Sequence, residues 1–198
     1  ALKIEISKLI SFYKNKDHFK KWNISPPRWI LLYWPPGTGK TFAAKIIASE
    51  LDIKFYELNY SNIQSKWIWE AEQNLNNFFK SLKYPCVVLI DEIDSFAPNK
   101  EELWSIASPS RKATLNVLLQ EIDWAWEKKD MLLIWTTNTI EALDPAILRT
   151  WRFDYKLFID YPDLEARAEI WDLYLKKAKK NTDFAFLDEK VDVKILAA

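Results

Sequence analysis

The 198-residue chain is 49% hydrophobic, enough apolar mass for one core of ordinary domain size. Its 28 basic residues balance 28 acidic ones, which excludes a global field drawing the chain onto nucleic acid or an anionic membrane. A single cysteine, Cys86, and a single histidine, His18, exclude a disulfide framework and a Cys/His metal cluster and fit a reducing, cytoplasmic setting.

In chain order, Ile4, Ile6, Leu9, Ile10 and Tyr13 fall near helical spacing, so Leu2 to Tyr13 is expected to form an amphipathic helix that serves packing. Lys14 to Lys21 is expected to be a basic, solvated connector, with His18 a surface residue. Ser25-Pro26-Pro27 then breaks any helix and leads into a first buried strand, Trp29 to Tyr33. A helix over Phe42 to Leu51 and a strand over Lys54 to Asn59 follow. Leu75, Phe78, Phe79 and Leu82 share one side of a helix predicted over Glu70 to Leu82, which Tyr84-Pro85 ends. Three further strands are expected at Cys86 to Ile90, Met131 to Trp135 and Lys156 to Ile159, and a long charged helix over Leu164 to Lys180. Strands alternating with helices predict a parallel sheet covered on both faces. No apolar run approaches the roughly 18 residues of a spanning helix, and no charged-then-apolar signal segment opens the chain.

Two stretches carry chemistry. The first is Trp34 to Thr41, W-P-P-G-T-G-K-T, between a strand and a helix. Gly39, Lys40 and Thr41 stand where the phosphate-binding pattern G-x-x-x-x-G-K-[ST] needs its second glycine, its lysine and its magnesium-ligating hydroxyl, while Trp34 holds the place of the first glycine. The spacing has a reason: backbone N–H groups wrap the β-phosphate, the helix directs its positive end at it, Lys40 reaches the β/γ oxygens and Thr41 takes Mg²⁺. The second stretch is Val87 to Asp94, V-V-L-I-D-E-I-D. Four apolar residues fill a buried strand, and two carboxylates emerge at its C-terminal end, where ligands sit in open α/β sheets. Asp91 would hold Mg²⁺ and Glu92 would orient or deprotonate the attacking water. Taken alone, this stretch is equally a strand ending in a solvated acidic turn; the phosphate loop about fifty residues upstream tips the balance toward the site.

From Leu2 to Ala198 the chain resembles the AAA ATPase module. The likeness rests on an ordered set: L-L-Y-W-P-P-G-T-G-K-T, S-K-W-I-W-E, V-V-L-I-D-E-I-D, L-L-Q-E-I-D, T-T-N, L-D-P-A-I-L-R-T-W-R-F-D and P-D-L-E-A-R-A-E-I. It implies an α/β P-loop NTPase fold, with a five-stranded parallel sheet flanked by helices over residues 1–161 and the start of a C-terminal helical lid over 162–198. It also implies that a segment helping to hold adenine lies before Ala1 and that the lid continues past Ala198. The cofactors implied are ATP and Mg²⁺. The partners implied are further copies in a hexameric ring and a polypeptide substrate, with no nucleic-acid signal and no membrane segment in this stretch.

By the same resemblance, Pro36, Gly37, Thr38, Gly39, Lys40 and Thr41, with Asp91, bind the nucleotide, and Thr41 and Asp91 hold the metal. Glu92 is the catalytic base, and Asn138 is the sensor that hydrogen-bonds the γ-phosphate or the water; without the likeness it is a strand-capping amide. Arg149 and Arg152 match the arginine pair that enters the neighbouring subunit's site, where a planar, always-charged fork suits developing phosphoryl charge. Two arginines after a short helix would otherwise be surface residues. Lys66, Trp67 and Ile68 match the aromatic loop that grips an extended polypeptide in the central pore; otherwise Trp67 is a core aromatic.

Eleven tryptophans stand against two glycines, where ordinary usage would give about fourteen glycines. Compared with the family, Trp22, Trp29, Trp34, Trp69, Trp124, Trp135 and Trp151 fall at glycine positions. Glycine serves at positive φ or close backbone approach, as expected after a helix ending at Asp123, and tryptophan is a poor substitute there. The pattern is one of systematic replacement, sparing Gly37 and Gly39. Trp34 should crowd the phosphate loop, Trp69 stiffen the pore loop and Trp151 alter the reach of Arg152. Three functional classes follow: an ATP-driven protein remodeller, favoured by S-K-W-I-W-E and the arginine pair; an assembling module without turnover, favoured by Trp34 and Trp151; and a DNA-directed motor, disfavoured by the charge balance.

Overall fold

The structure, a computed structural model, describes residues 2–24, 27–33, 36–59, 63, 68–96, 109–128, 130–143 and 153–181. The chain divides into two compact units, Ala1–Ile159 and Asp160–Ala198.

Five short apolar runs of the first unit form its sheet: β1 (Trp29–Tyr33), β2 (Lys54–Asn59), β3 (Cys86–Asp91), β4 (Met131–Thr137) and β5 (Tyr155–Phe158). Their order is β2-β3-β4-β1-β5, and every pairing is parallel. The helices are α1 (Leu2–Lys14), α2 (Lys16–Lys20), α3 (Lys40–Glu50), α4 (Ile68–Ser81), α5 (Ile93–Phe96) and α6 (Pro109–Lys128). Side chains alternate across a strand, so each apolar run supplies two faces. Leu31, Val88, Ile90, Leu133 and Trp135 pack with Leu75 and Phe79 of α4 and Leu118 and Ile122 of α6. On the opposite face, Ile30, Leu32, Leu89 and Ile134 pack with Leu9 of α1 and Ala44 and Ile47 of α3. Burial on both faces is why the central strands read as unbroken apolar runs. Each such leucine or isoleucine contributes about 1.5–3 kcal/mol, and Leu89→Ala would cost about 2–5 kcal/mol through the cavity it leaves. This is the five-stranded parallel P-loop architecture expected from the sequence.

Asp154 fixes the sheet edge next to β1. One of its carboxylate oxygens accepts the backbone N–H groups of Arg28 and Trp29 at 2.8 and 3.0 Å, tying the entry of β5 to the start of β1.

Some local expectations are corrected. Lys16–Lys20 is helical rather than a connector, and Phe12 stacks on Phe19 with ring centroids 4.1 Å apart, an aromatic contact that a charge-rich sequence hides. The helix expected to end at Asp123 runs on to Lys128, so Trp124 lies inside α6 rather than at a left-handed cap. Positive φ among described non-glycine residues occurs at Asn23, Asp52 and Glu92, at none of the tryptophans. Trp29 and Trp135 are absorbed into the core: they stack at 5.9 Å, and Phe153 meets both rings edge-on at 6.4 Å. By contrast Trp22, Trp69 and Trp124 are 72%, 56% and 48% exposed. Trp34 and Trp151 lie outside the described residues.

In the second unit, Asp163 caps α7 (Leu164–Asn181). Its carboxylate accepts the N–H of Ala166 at 2.8 Å, satisfying a donor that the first helical turn leaves open. Among the described residues, no helix is long and apolar enough to cross a membrane.

Candidate active site

The site forms where β1, β3 and β4 end. After β1 the chain turns through Gly37 and Gly39 at φ +84° and +87°. A Cβ at Gly37 would meet nothing within 4 Å, and one at Gly39 would meet only Phe42 Cβ at 3.9 Å. The left-handed backbone therefore demands glycine here, and space does not. Gly39 is the N-cap of α3, and no acidic residue occupies the first turn. That leaves an electropositive helix end facing the cleft, suited to an anion.

Lys40, the first residue of α3, is only 8% exposed. Its Nζ donates to Asn138 Oδ1 at 2.9 Å, joining the start of α3 to the end of β4. Burial holds its pKa below the usual lysine value, opposed by the charges of Asp91, Asp94 and Glu92. Next to it, Thr41 Oγ1 donates to Asp91 Oδ2 at 3.2 Å. The other carboxylate oxygen, Oδ1, accepts the Thr136 hydroxyl. Thr136 Oγ1 in turn accepts the Glu92 N–H at 3.0 Å, and Glu92 itself sits at φ +53°. One residue on, Thr137 Oγ1 lies 3.0 Å from Asp94 Oδ1. A cleft of about 490 Å³ opens over these groups, lined in part by Gly37, Lys40, Thr41, Asp91, Glu92 and Asn138.

Thus Lys40, Thr41, Asp91, Glu92 and Asn138, scattered over about a hundred residues of sequence, converge at one sheet end. Pro36 also lines the cleft, and Thr38 lies half-buried in the loop. Ile68 is the first residue of α4, and its side chain is not described. Lys66, Trp67, Arg149 and Arg152 lie outside the described residues. Thr136 and Asp94 join the site without having been expected from the sequence, although a T-T pair before Asn138 on the strand beside the acidic one was the available signal. Equally unexpected are Phe42 and Lys45, which line the cleft from the exposed side of α3.

The donor set fits magnesium. One hydroxyl and one carboxylate, both hard oxygens, approach within 3.2 Å of each other. A sparse oxygen set is what Mg²⁺ accepts, since it keeps several waters and shares its ligands with substrate phosphates.

Residues 30–161 match the family model of the ATPase family associated with various cellular activities (AAA). The chain belongs to the AAA family. Among curated relatives, this AAA chain is 38% identical over 186 residues to a cell division cycle protein 48 homolog of Archaeoglobus fulgidus, covering 93% of the chain and 24% of that protein. It is 36% identical over 197 residues to the human ATP-dependent zinc metalloprotease YME1L1, covering 98% and 24% respectively. It is also 36% identical over 185 residues to a chloroplast protein of Arabidopsis thaliana named as a probable inactive ATP-dependent zinc metalloprotease, covering 88% and 20%. The AAA chain therefore spans about a quarter or less of the length of these relatives.

Proposed function

We propose that this chain is the ATP-binding and ATP-hydrolysing module of a ring-forming AAA motor that unfolds, disassembles or translocates polypeptides in the cytoplasm. The observation that carries the proposal is the convergence of Lys40, Thr41, Asp91 and Asn138 at the C-terminal end of the sheet, over a loop whose two glycines turn the chain into a helix N-terminus. In this reading the loop from Pro36 to Gly39 holds the phosphates by backbone N–H groups, and Lys40 leaves Asn138 for the β/γ oxygens. Thr41 and Asp91 hold the metal. Bound Mg²⁺·ATP supplies the phosphoryl group and a cation that neutralises its charge. Glu92, exposed at the cleft, takes the proton of the attacking water, while Asn138 orients that water. Arg149 and Arg152 reach the neighbouring subunit's site, Lys66, Trp67 and Ile68 grip the polypeptide, and residues 162–198 begin the lid.

The test is ATPase activity measured with and without an unstructured polypeptide such as casein. Stimulation by the polypeptide supports the remodelling motor; salt-sensitive binding of single-stranded DNA with no polypeptide effect would favour a DNA-directed motor instead. A second reading, an assembling module without turnover, is favoured by Trp34 at the first loop position and by a relative whose name calls it probably inactive. That reading expects ring assembly without ATP hydrolysis.

A further inference from the structure

Asp91 and Glu92 are adjacent in sequence but need different treatment. The first must present a carboxylate in a fixed rotamer, and the second must leave the strand and aim its side chain over the cleft. The chain achieves the turn by placing Glu92 at φ +53°, a left-handed conformation uncommon for a residue with a Cβ that persists only where its surroundings enforce it. One side chain on the neighbouring strand touches both residues. Thr136, on β4 and fully buried, donates its hydroxyl proton to Asp91 Oδ1 and accepts the Glu92 N–H at 3.0 Å on the same oxygen. The first bond leaves Asp91 Oδ2 directed at Thr41, from which it accepts at 3.2 Å. The second fixes the peptide plane from which the φ rotation of Glu92 is measured, and so sets the direction in which its side chain departs.

We propose that Thr136 is a positioning residue for hydrolysis, its single hydroxyl locking the Asp91 carboxylate and the left-handed backbone of Glu92 in one arrangement. Only a hydroxyl can do both, because it carries one donor and free acceptor pairs on the same atom. Valine has threonine's shape and neither function; serine has both functions and lacks a methyl. The proposal rests on the assignment of Asp91 to the metal and Glu92 to the water.

The test uses the whole chain in the Trp34→Gly background as Thr136→Val and Thr136→Ser, with two readouts. In the nucleotide-free protein, exchange of the Glu92 amide followed by NMR should quicken roughly tenfold in the valine form while neighbouring strand amides are unchanged, and serine should restore it. In steady-state hydrolysis, the valine form should lose about tenfold or more in kcat with KM for ATP within about twofold, and serine should recover most of the loss. A merely structural threonine would instead slow nothing selectively and would raise exchange across β3 and β4 together. Wild-type exchange at Glu92 in the valine form, or wild-type kcat, overturns the proposal. If no form hydrolyses ATP, the ATPase assignment falls, and the exchange measurement still decides whether Thr136 holds Glu92.

Discussion

Lys40→Met separates a binding role from a structural one. Methionine keeps the length and most of the volume of lysine and removes the cation. In the free protein Lys40 is buried, and the described bond from its Nζ is to Asn138 Oδ1 at 2.9 Å. Losing that bond costs about 1 kcal/mol, the lost attraction of Asp91, Asp94 and Glu92 adds to the cost, and relieving the burial of an ammonium offsets part of it, so the net change in stability should be about 1 kcal/mol. For a chain of this size that is a melting shift of about 2–4 °C. The nucleotide complex responds differently. A charge-assisted bond to phosphate oxygens contributes about 1.5–3 kcal/mol, and with about 1.4 kcal/mol per tenfold the affinity for Mg²⁺·ATP should fall roughly ten- to 150-fold. Isothermal calorimetry in the Trp34→Gly background, where the loop is free of the indole, measures the affinity; differential scanning calorimetry measures the stability. Unchanged affinity would remove Lys40 from the phosphate site, and a loss of many degrees in melting temperature would make its role structural.

Mixing an Arg149→Ala/Arg152→Ala chain with a Glu92→Gln chain should restore part of the lost ATPase activity, because one intact composite site can form in a mixed ring; no recovery in rings shown to be mixed would place the arginines elsewhere. Burial, and next the charge of Asp130, push the Cys86 thiol from its ordinary value of 9.0 up to about 12. The folded chain therefore holds a proton that the unfolded chain releases, so this contribution is constant below about pH 9 and stability falls from there to about pH 12. Melts of wild type and Cys86→Ala should diverge over that window, and iodoacetamide should leave native Cys86 unlabelled at pH 8. The tryptophans at glycine positions follow a pattern of systematic replacement of glycine. An intact mass of the native protein below that of the printed composition is the expected result, and a mass equal to it would show that the tryptophans are real.

The sheet was legible because its signal is local and redundant. Trp29–Tyr33 and Lys54–Asn59 are apolar or alternating runs between turn residues, and they form strands with the expected bounds. β3 and β4 run one and two residues past their apolar cores, to Asp91 and Thr137, since neighbouring strands continue to pair where hydropathy has already fallen. α3 starts at Lys40, two residues before its apolar pattern, because the positive φ of Gly39 turns the chain straight into the helix. The site was legible where one segment holds the chemistry, as in G-K-T and D-E. It was not where two strands combine. Nothing in the sequence measures the distance from Thr136 to Asp91 or from Lys40 to Asn138, and only the order β3-β4-β1 brings those pairs together. The tryptophans misled in a different way: an expected helix end at Asp123 assumed that the residue after it needs a left-handed backbone, and Trp124 simply continues the helix.

If this cleft hydrolyses ATP as proposed, Glu92 takes the proton of the attacking water. In a phosphate-binding loop a side chain at the first position is expected near the turn that must bring N–H groups to the β-phosphate, and proline at positions 35 and 36 fixes φ at those two residues. The chain with Trp34 should therefore bind ATP weakly, and Trp34→Gly should recover binding. Single-turnover hydrolysis of Mg²⁺·ATP by Trp34→Gly, alone and combined with Glu92→Gln, is the direct measurement. Equal ATP affinity is expected in the two forms, with turnover in the first and none in the second, because the amide keeps the shape of the carboxylate and loses its proton affinity. Turnover that survives in the glutamine form, or tight binding with no turnover in either, would contradict the proposal.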